Sequence, residues 1–260
     1  KDKRFQIIFN KDNLGMANAI NLALSTIAVE KWDYLWISDD DNIAEKNALK
    51  NLLDYANKNS ILNPIILNQD KFTLAFKIKD LITNKEYETL NDVKKVEKIN
   101  YLIPFNFTLF PREQIGFISE DYFIRGEEFD FITKKIIDGC RVYIIPKSII
   151  YWLQKRETIF KNLLFLKIYQ EMVTEKKLYY LVRNNLRLVF KFQKIVRNSS
   201  KRKYIENWFS YYKYNFFFFF FAYFFLETLI ILLFYKNKIK NLKYLLLSYI
   251  HFIINKKGKI

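Results

Sequence analysis

The sequence predicts an α/β fold: a mixed sheet with flanking helices, followed by a helical C-terminal region. Three observations predict it. Up to residue 152, short apolar runs rich in aromatic and β-branched residues alternate with runs of helical period. Of the 260 residues, 51% are hydrophobic and 18% aromatic, enough for a sizeable core, which excludes a disordered chain. After Tyr151 the character changes to long Leu-, Ile-, Phe- and Lys-rich stretches. We therefore divide the chain into 1–152 and 153–260.

Taken in order, residues 5–9 read as a short buried strand and 11–15 as a loop. Over 16–29, Met16, Ala19, Ile20, Ala23, Leu24 and Ile27 share one helical face. Residues 34–37 form an apolar strand, and an amphipathic helix follows from about 45 to 57. Strand–helix–strand–helix order argues for a mainly parallel sheet with crossover helices. Residues 62–67 and 71–78 read as strands and 84–97 as a polar excursion. The stretch 101–110 is β-prone, but Pro104 argues against a central strand over its whole length. A turn at 112–115 closes at Gly116. Residues 127–138 have helical period and stop at Gly139, a good C-cap. Residues 141–146 and 148–152 are strand-like, and 156–197 read as long helices.

Charge is distributed unevenly. Residues 1–150 hold 21 Lys and Arg against 22 Asp and Glu, whereas 151–260 hold 22 against 5. All the excess positive charge thus lies in the last 110 residues, which implies an acidic partner such as phospholipid. Nucleic acid is not expected, because the charge tracks a hydrophobic segment and no recognition motif is present. That segment, 216–235, is about long enough to cross a bilayer, with Glu227 at its middle and lysines on its flanks. A helix in the interface, a span and a buried helix all remain open. The single Cys140 excludes an internal disulfide and suits a small core residue. The opening K-D-K-R-F-Q-I-I-F-N has the character of the middle of a fold, so an upstream segment is expected.

Two acidic clusters carry the candidate chemistry. Asp39, Asp40 and Asp41 follow the 34–37 strand, where ligands of open α/β sheets collect. Adjacent carboxylates repel, and a hard divalent cation with phosphate oxygens would offset that repulsion. A solvated turn or a helix cap is the ordinary alternative. The second cluster, Gly126-Glu127-Glu128-Phe129-Asp130, sits at a loop-to-helix junction, where acidic residues are also commonplace.

Five stretches in order resemble the inverting family 2 glycosyltransferases of GT-A (Rossmann-related) fold. N-L-G at 13–15 with Asn21 resembles the N-x-G…N segment, and S-D-D-D-N at 38–42 the DxD-type motif. F-N-F-T-L-F-P-R-E at 105–113 with I-G at 115–116 resembles the segment before the acceptor site. Y-F-I-R-G-E-E-F-D-F at 122–131 resembles the catalytic-base motif with each acid replaced by its homologue, and Y-Y-L-V-R-N-N at 179–185 the segment after the catalytic domain. The tail S-Y-I-H-F-I-I-N-K-K-G-K is similar to the ends of bacterial rhamnosyl- and galactofuranosyltransferases.

The resemblance implies transfer of a sugar from a UDP- or dTDP-linked donor to a glycan or lipid-linked acceptor in cell-surface polysaccharide synthesis. It implies a divalent cation, Mn or Mg, on Asp39 and Asp41. Asn13, Gly15, Asn21 and Asp40 would bind the nucleotide-sugar. Glu128 would be the base with Glu127 beside it, and Gly126 and Asp130 would contact the acceptor. Localisation at the cytoplasmic face of the bacterial inner membrane, peripheral or single-span through 153–260, follows from the same comparison. Two departures favour an alternative, a catalytically decayed membrane-associated protein: the first nucleotide-gripping strand and helix are absent, and Trp152 stands where the subfamily has a metal-ligating His.

Overall fold

The computed structural model describes residues 6–101, 105–153, 158–163, 166–171 and 173–260, with 158–171 described by backbone alone. In chain order come α1 (Met16–Ile27), β1 (Tyr34–Ile37), β2 (Asn42–Ala44), α2 (Ala48–Leu53) and β3 (Ser60–Leu67). Next are β4 (Thr73–Lys79), β5 (Glu86–Thr89), α3 (Leu90–Val93), β6 (Thr108–Pro111), α4 (Glu127–Ile137) and β7 (Arg141–Trp152). A hairpin of β8 (Thr158–Leu163) and β9 (Leu166–Glu171) precedes α5 (Glu175–Asn198), α6 (Arg202–Trp208), α7 (Phe216–Phe234) and α8 (Lys238–Ile253).

The sheet is assembled on β3, whose S-I-L-N-P-I-I-L is buried along its whole length. Such a strand needs apolar side chains on both faces, hence its continuous apolar run. One edge pairs with β7 in parallel, from Ser60↔Arg141 to Leu67↔Tyr151, with a bulge between Pro64 and Ile65. The other edge is shared by β6 at Leu62↔Leu109 and β4 at Leu67↔Leu74. β1 lies outside β6, and β2 outside β7.

The α/β architecture with flanking helices is as expected, but the mainly parallel sheet is not. β1, β3 and β7 run the same way, yet β6 inserts antiparallel between β1 and β3. β3–β7 is the one parallel pair among the described strands. Periodicity identifies strands but not their neighbours.

Three local expectations are also corrected. Phe5 lies outside the described residues; residues 6–9 are irregular, with Ile7 73% and Phe9 85% exposed. An apolar run becomes a strand only where a neighbour takes up its hydrogen bonds. The helix expected over 45–57 contracts to Ala48–Leu53. The helices expected over 156–197 begin only at Glu175, and Thr158 to Glu171 form a hairpin instead. Residues 102–104, within the β-prone stretch, and 154–157, 164–165 and 172 lie outside the described residues.

Helix α5 joins the two halves. Leu178, Val182, Leu186, Leu188, Val189 and Val196 are fully enclosed. They belong to one core that runs from Phe105, Phe110 and Phe131 at the sheet to Tyr223 and Tyr249 on α7 and α8. Cys140 is buried, and burial pushes its thiol up to about 11, consistent with a packing role.

Candidate functional site

The acidic turn leaves the carboxyl end of β1. Asp39 and Asp40 are exposed and Asp41 is half-buried. Asn42, the first residue of β2, donates from Nδ2 to Asp41 Oδ1 at 2.9 Å and reaches Asn106 Oδ1 at 3.4 Å. Register puts Asn42 opposite Trp152, and the Leu153 amide donates to the Asp41 carbonyl at 3.3 Å. The position at which the resemblance calls for a histidine thus stands beside the turn. The indole there is buried and packs edge-on against Phe76, centroids 5.2 Å apart.

Among the described residues no group of three or more His, Cys, Asp and Glu side chains could hold a metal ion. The oxygen donors of Asp39 and Asp41 fit a hard divalent cation of the Mg²⁺ type, which takes one or two carboxylates and completes its shell with phosphate and water oxygens. His251, the sole histidine, is engaged elsewhere, with Nδ1 2.7 Å from the Tyr179 hydroxyl.

The F-N-F segment at 105–107 links this turn to the second cluster. Its backbone runs into β6, whose Thr108 pairs with Ile37 at the end of β1. Asn106 accepts from Asn63 Nδ2 at 2.9 Å through its carbonyl, Trp36 Nε1 donates to the Phe107 carbonyl at 2.8 Å, and the Phe105 ring packs 5.8 Å from Phe131 of α4. Phe105 and Phe107 both have left-handed backbones, φ 57° and 52°. Non-glycine residues hold that conformation only where their surroundings enforce it, commonly at functional sites.

The second cluster opens α4. Gly126 caps the helix at φ 110°, and a Cβ there would lie 3.0 Å from both Asn184 Cβ and Tyr122 Cδ1. Arg125 before it is also left-handed, φ 61°. Asn184 of α5 holds this loop by donating to the carbonyls of Ile124 and Arg125, the former at 3.0 Å. The Gly126 amide donates to Glu128 Oε2 at 2.9 Å.

Glu127 is 1% exposed, and its Oε2 has no hydrogen-bond partner. Glu128 keeps some open surface, though protein surrounds it densely. Burial pushes Glu127 up to about 8, and the Glu128 charge adds to the rise. Burial also holds Glu128 above the usual carboxylate range. A helix N-terminus favours a carboxylate by about 0.3–1 kcal/mol, less than one pKa unit, whereas burial can shift a group by up to about 3–5 units, so burial wins. Both carboxyls are thus held above the usual carboxylate range and, being adjacent, titrate as a pair.

Asp130 is enclosed, with Lys191 at 2.6 Å on one oxygen and Lys134 at 3.5 Å on the other. Its carboxylate ties α4 to α5 rather than facing open space. Asn21 is likewise spent. Its amide donates to the Ile118 carbonyl and Glu120 Oε1, both at 2.9 Å, and accepts from the Ile118 amide at 2.8 Å. Asn13 Oδ1 accepts from the Gly15 amide at 3.2 Å. Gly15, at φ 94°, presses against the carbonyl of Phe123, where no Cβ could fit. The close approach that glycine permits is therefore to the loop ahead of Glu127.

Sequence reasoning missed Asn63, Asn106 and the tail contacts. Arg183 is fully buried, and its Nη1 donates to the Gly258 carbonyl at 2.9 Å and the Tyr179 hydroxyl at 3.1 Å. Arg187 donates to the Asp121 and Lys256 carbonyls, Gly258 N donates to the Asp121 carbonyl at 3.0 Å, and Lys259 Nζ to the Asn13 carbonyl at 3.2 Å. The Y-Y-L-V-R-N-N stretch thus clamps the C-terminal tail against the loops that present Asn13 and Glu127. Arg183 and Arg187 within a largely apolar helical run were the available signal in the sequence.

Residues 1–112 match the family model described as Glycosyl transferase family 2. No curated protein sequence matches the chain. Among solved structures, a crystal structure of GalNAc-T7 with UDP, GalNAc and Mn²⁺ is similar at 14% identity and a TM-score of 0.46, covering 78% of this chain. The chain spans 44% of the length of that protein.

Proposed function

We propose that the chain belongs to an inverting, metal-dependent glycosyltransferase. It would move a sugar from a UDP- or dTDP-sugar to a glycan or lipid-linked glycan acceptor in cell-surface polysaccharide synthesis, at the cytoplasmic face of a bacterial inner membrane. The observation that carries the reading is the family 2 match over residues 1–112, which includes the acidic turn after β1. The paired glutamates at the start of α4 support it.

Asp39 and Asp41 would hold a divalent cation, with Asp40 at the nucleotide side. When bound, the cation neutralises charge developing on the departing diphosphate. Glu128 accepts the proton of the acceptor hydroxyl. The oxygen so freed forms the new bond to the anomeric carbon. On the opposite face the bond to the diphosphate breaks, and its electron pair leaves with the nucleotide diphosphate. Glu127, buried beside Glu128, positions it. The backbone amide of Gly126 does the same from the helix end. Asn21, Gly15 and Asn184 act as positioning residues, because their polar groups and backbone approaches fasten the loops that carry the site.

The second reading, a decayed transferase, is favoured by one observation: the residue beside Asn42 is a buried tryptophan that cannot ligate a metal. The deciding assay measures nucleotide diphosphate release from UDP-, dTDP- and GDP-sugars with Mn²⁺ or Mg²⁺. Metal-dependent release that Asp39→Asn/Asp41→Asn abolishes, and that Glu128→Gln reduces by about 100-fold or more, is expected. No release from any donor, with plausible acceptors present and the protein folded, supports the decayed reading.

A further inference from the structure

Helix α7 is apolar all round, a composition that fits either a core helix or a membrane span. Its nineteen residues have a mean hydropathy of 2.4 in their most apolar window. Its setting matches neither pattern. Phe219, Tyr223, Glu227, Ile230 and Ile231 are buried, and their spacing puts them on one face. The outer face carries Phe217, Phe218, Phe221 and Phe225, each 64–73% exposed, continued by Leu232 and Leu233. At roughly 200 Å² per phenylalanine, these four rings leave on the order of 500 Å² uncovered. That already reaches the size of the largest patch on an ordinary monomer, about 300–600 Å².

The buried face is fastened along its length. Tyr211 packs 5.0 Å from Phe219, Asn185 Nδ2 donates to the Tyr223 hydroxyl at 3.0 Å, and Tyr249 of α8 donates to the Phe220 carbonyl at 3.0 Å. Glu227, 5% exposed, points inward among Tyr211, Tyr223 and Tyr249. A spanning α7 would have to give up these contacts and present Glu227 to lipid, or draw the charged helix α5 into the bilayer with it. Beside α7, the exposed Ile239, Leu246 and Ile250 of α8 line a shallow apolar groove that includes Lys243. Lys236, Lys238 and Lys240 are exposed at the same junction.

We propose that the outer face of α7, with the adjoining face of α8, is a monotopic docking surface for an anionic lipid bilayer. The helix lies parallel to the membrane plane. Its phenylalanines enter the headgroup–acyl boundary, Glu227 stays inside the protein, and the lysines meet the headgroups. Apolar rings next to a cationic flank are the complement of that interface. The excess of 22 basic over 5 acidic residues in 151–260 has the matching sign.

The test is flotation of purified protein with preformed vesicles, some of phosphatidylcholine alone and some containing phosphatidylglycerol. The protein is expected to float with the anionic vesicles, at least about tenfold more strongly than with neutral ones, and to weaken in high salt. Phe217→Ser/Phe221→Ser/Phe225→Ser should stay at the bottom of the gradient while keeping its circular dichroism melt. If that variant misfolds, Lys236→Gln/Lys238→Gln/Lys240→Gln/Lys243→Gln should still abolish the preference for phosphatidylglycerol. Asn215→Cys and Lys236→Cys, at the two ends of α7, should both react with a membrane-impermeant maleimide added outside, since native Cys140 is buried. Failure to float overturns the proposal, as do labelling of one end only, or a lipid-free dimer that covers this face and does not bind vesicles. None of these readouts requires transferase activity.

Discussion

Replacing Glu127 by glutamine tests the buried pair directly. Glutamine keeps the shape but cannot ionise. Burial raises Glu127 from 4.5 to about 8 in the fold. The folded chain therefore holds a proton that the unfolded chain releases between these values. The stability tied to that proton is fully present below the unfolded pKa and is lost as pH rises toward the folded one. With about 1.4 kcal/mol per pKa unit, raising pH from 6 to 8 costs the wild type about 2 kcal/mol that the variant does not lose. For a chain of this size, that corresponds to roughly 4–8 °C in Tm. Thermal melts of the two proteins across that range are the assay. The variant should gain on the wild type as pH rises. A Tm difference that is flat with pH, or that runs the other way, would refute a protonated Glu127.

Two further substitutions probe how the site is held. Asn21→Ala leaves the Ile118 amide and carbonyl without their partner in a buried place, and should cost about 2–4 kcal/mol, read from denaturant melts. It should also raise protease sensitivity around residue 118. Lys191→Met leaves the enclosed Asp130 carboxylate with only the longer Lys134 contact. The expected loss is about 3 kcal/mol, and Asp130→Asn in the same chain should restore part of it. Additive losses in that double-mutant cycle would show that the pair is not coupled.

Much of this protein is legible in one dimension. The apolar runs of β1, β3 and β7, the helical period of α1 and α4, and the stop at Gly139 follow from side-chain spacing, a local property of the chain. The acidic turn and the glutamate pair stand out as charge beside apolar strands and helices. The different burial of Glu127 and Glu128 does not, because identical neighbouring side chains are distinguished only by what the fold packs around them. The insertion of β6 between β1 and β3 depends on contacts across more than forty residues, to which no local pattern is sensitive.

The sequence by itself determined the α/β class, the charge asymmetry, the acidic clusters and the apolar character of α7. It left open whether α7 is buried, spans or lies on a surface, because a largely apolar helix of nineteen residues looks alike in all three. Tertiary structure decided which side of α7 is covered and which loops and helices Asn21, Asp130 and Arg183 fasten. A polar atom is available to a ligand only if the fold has not already given it a partner, and the partners that tie one element to another here come from 61 to 99 residues away.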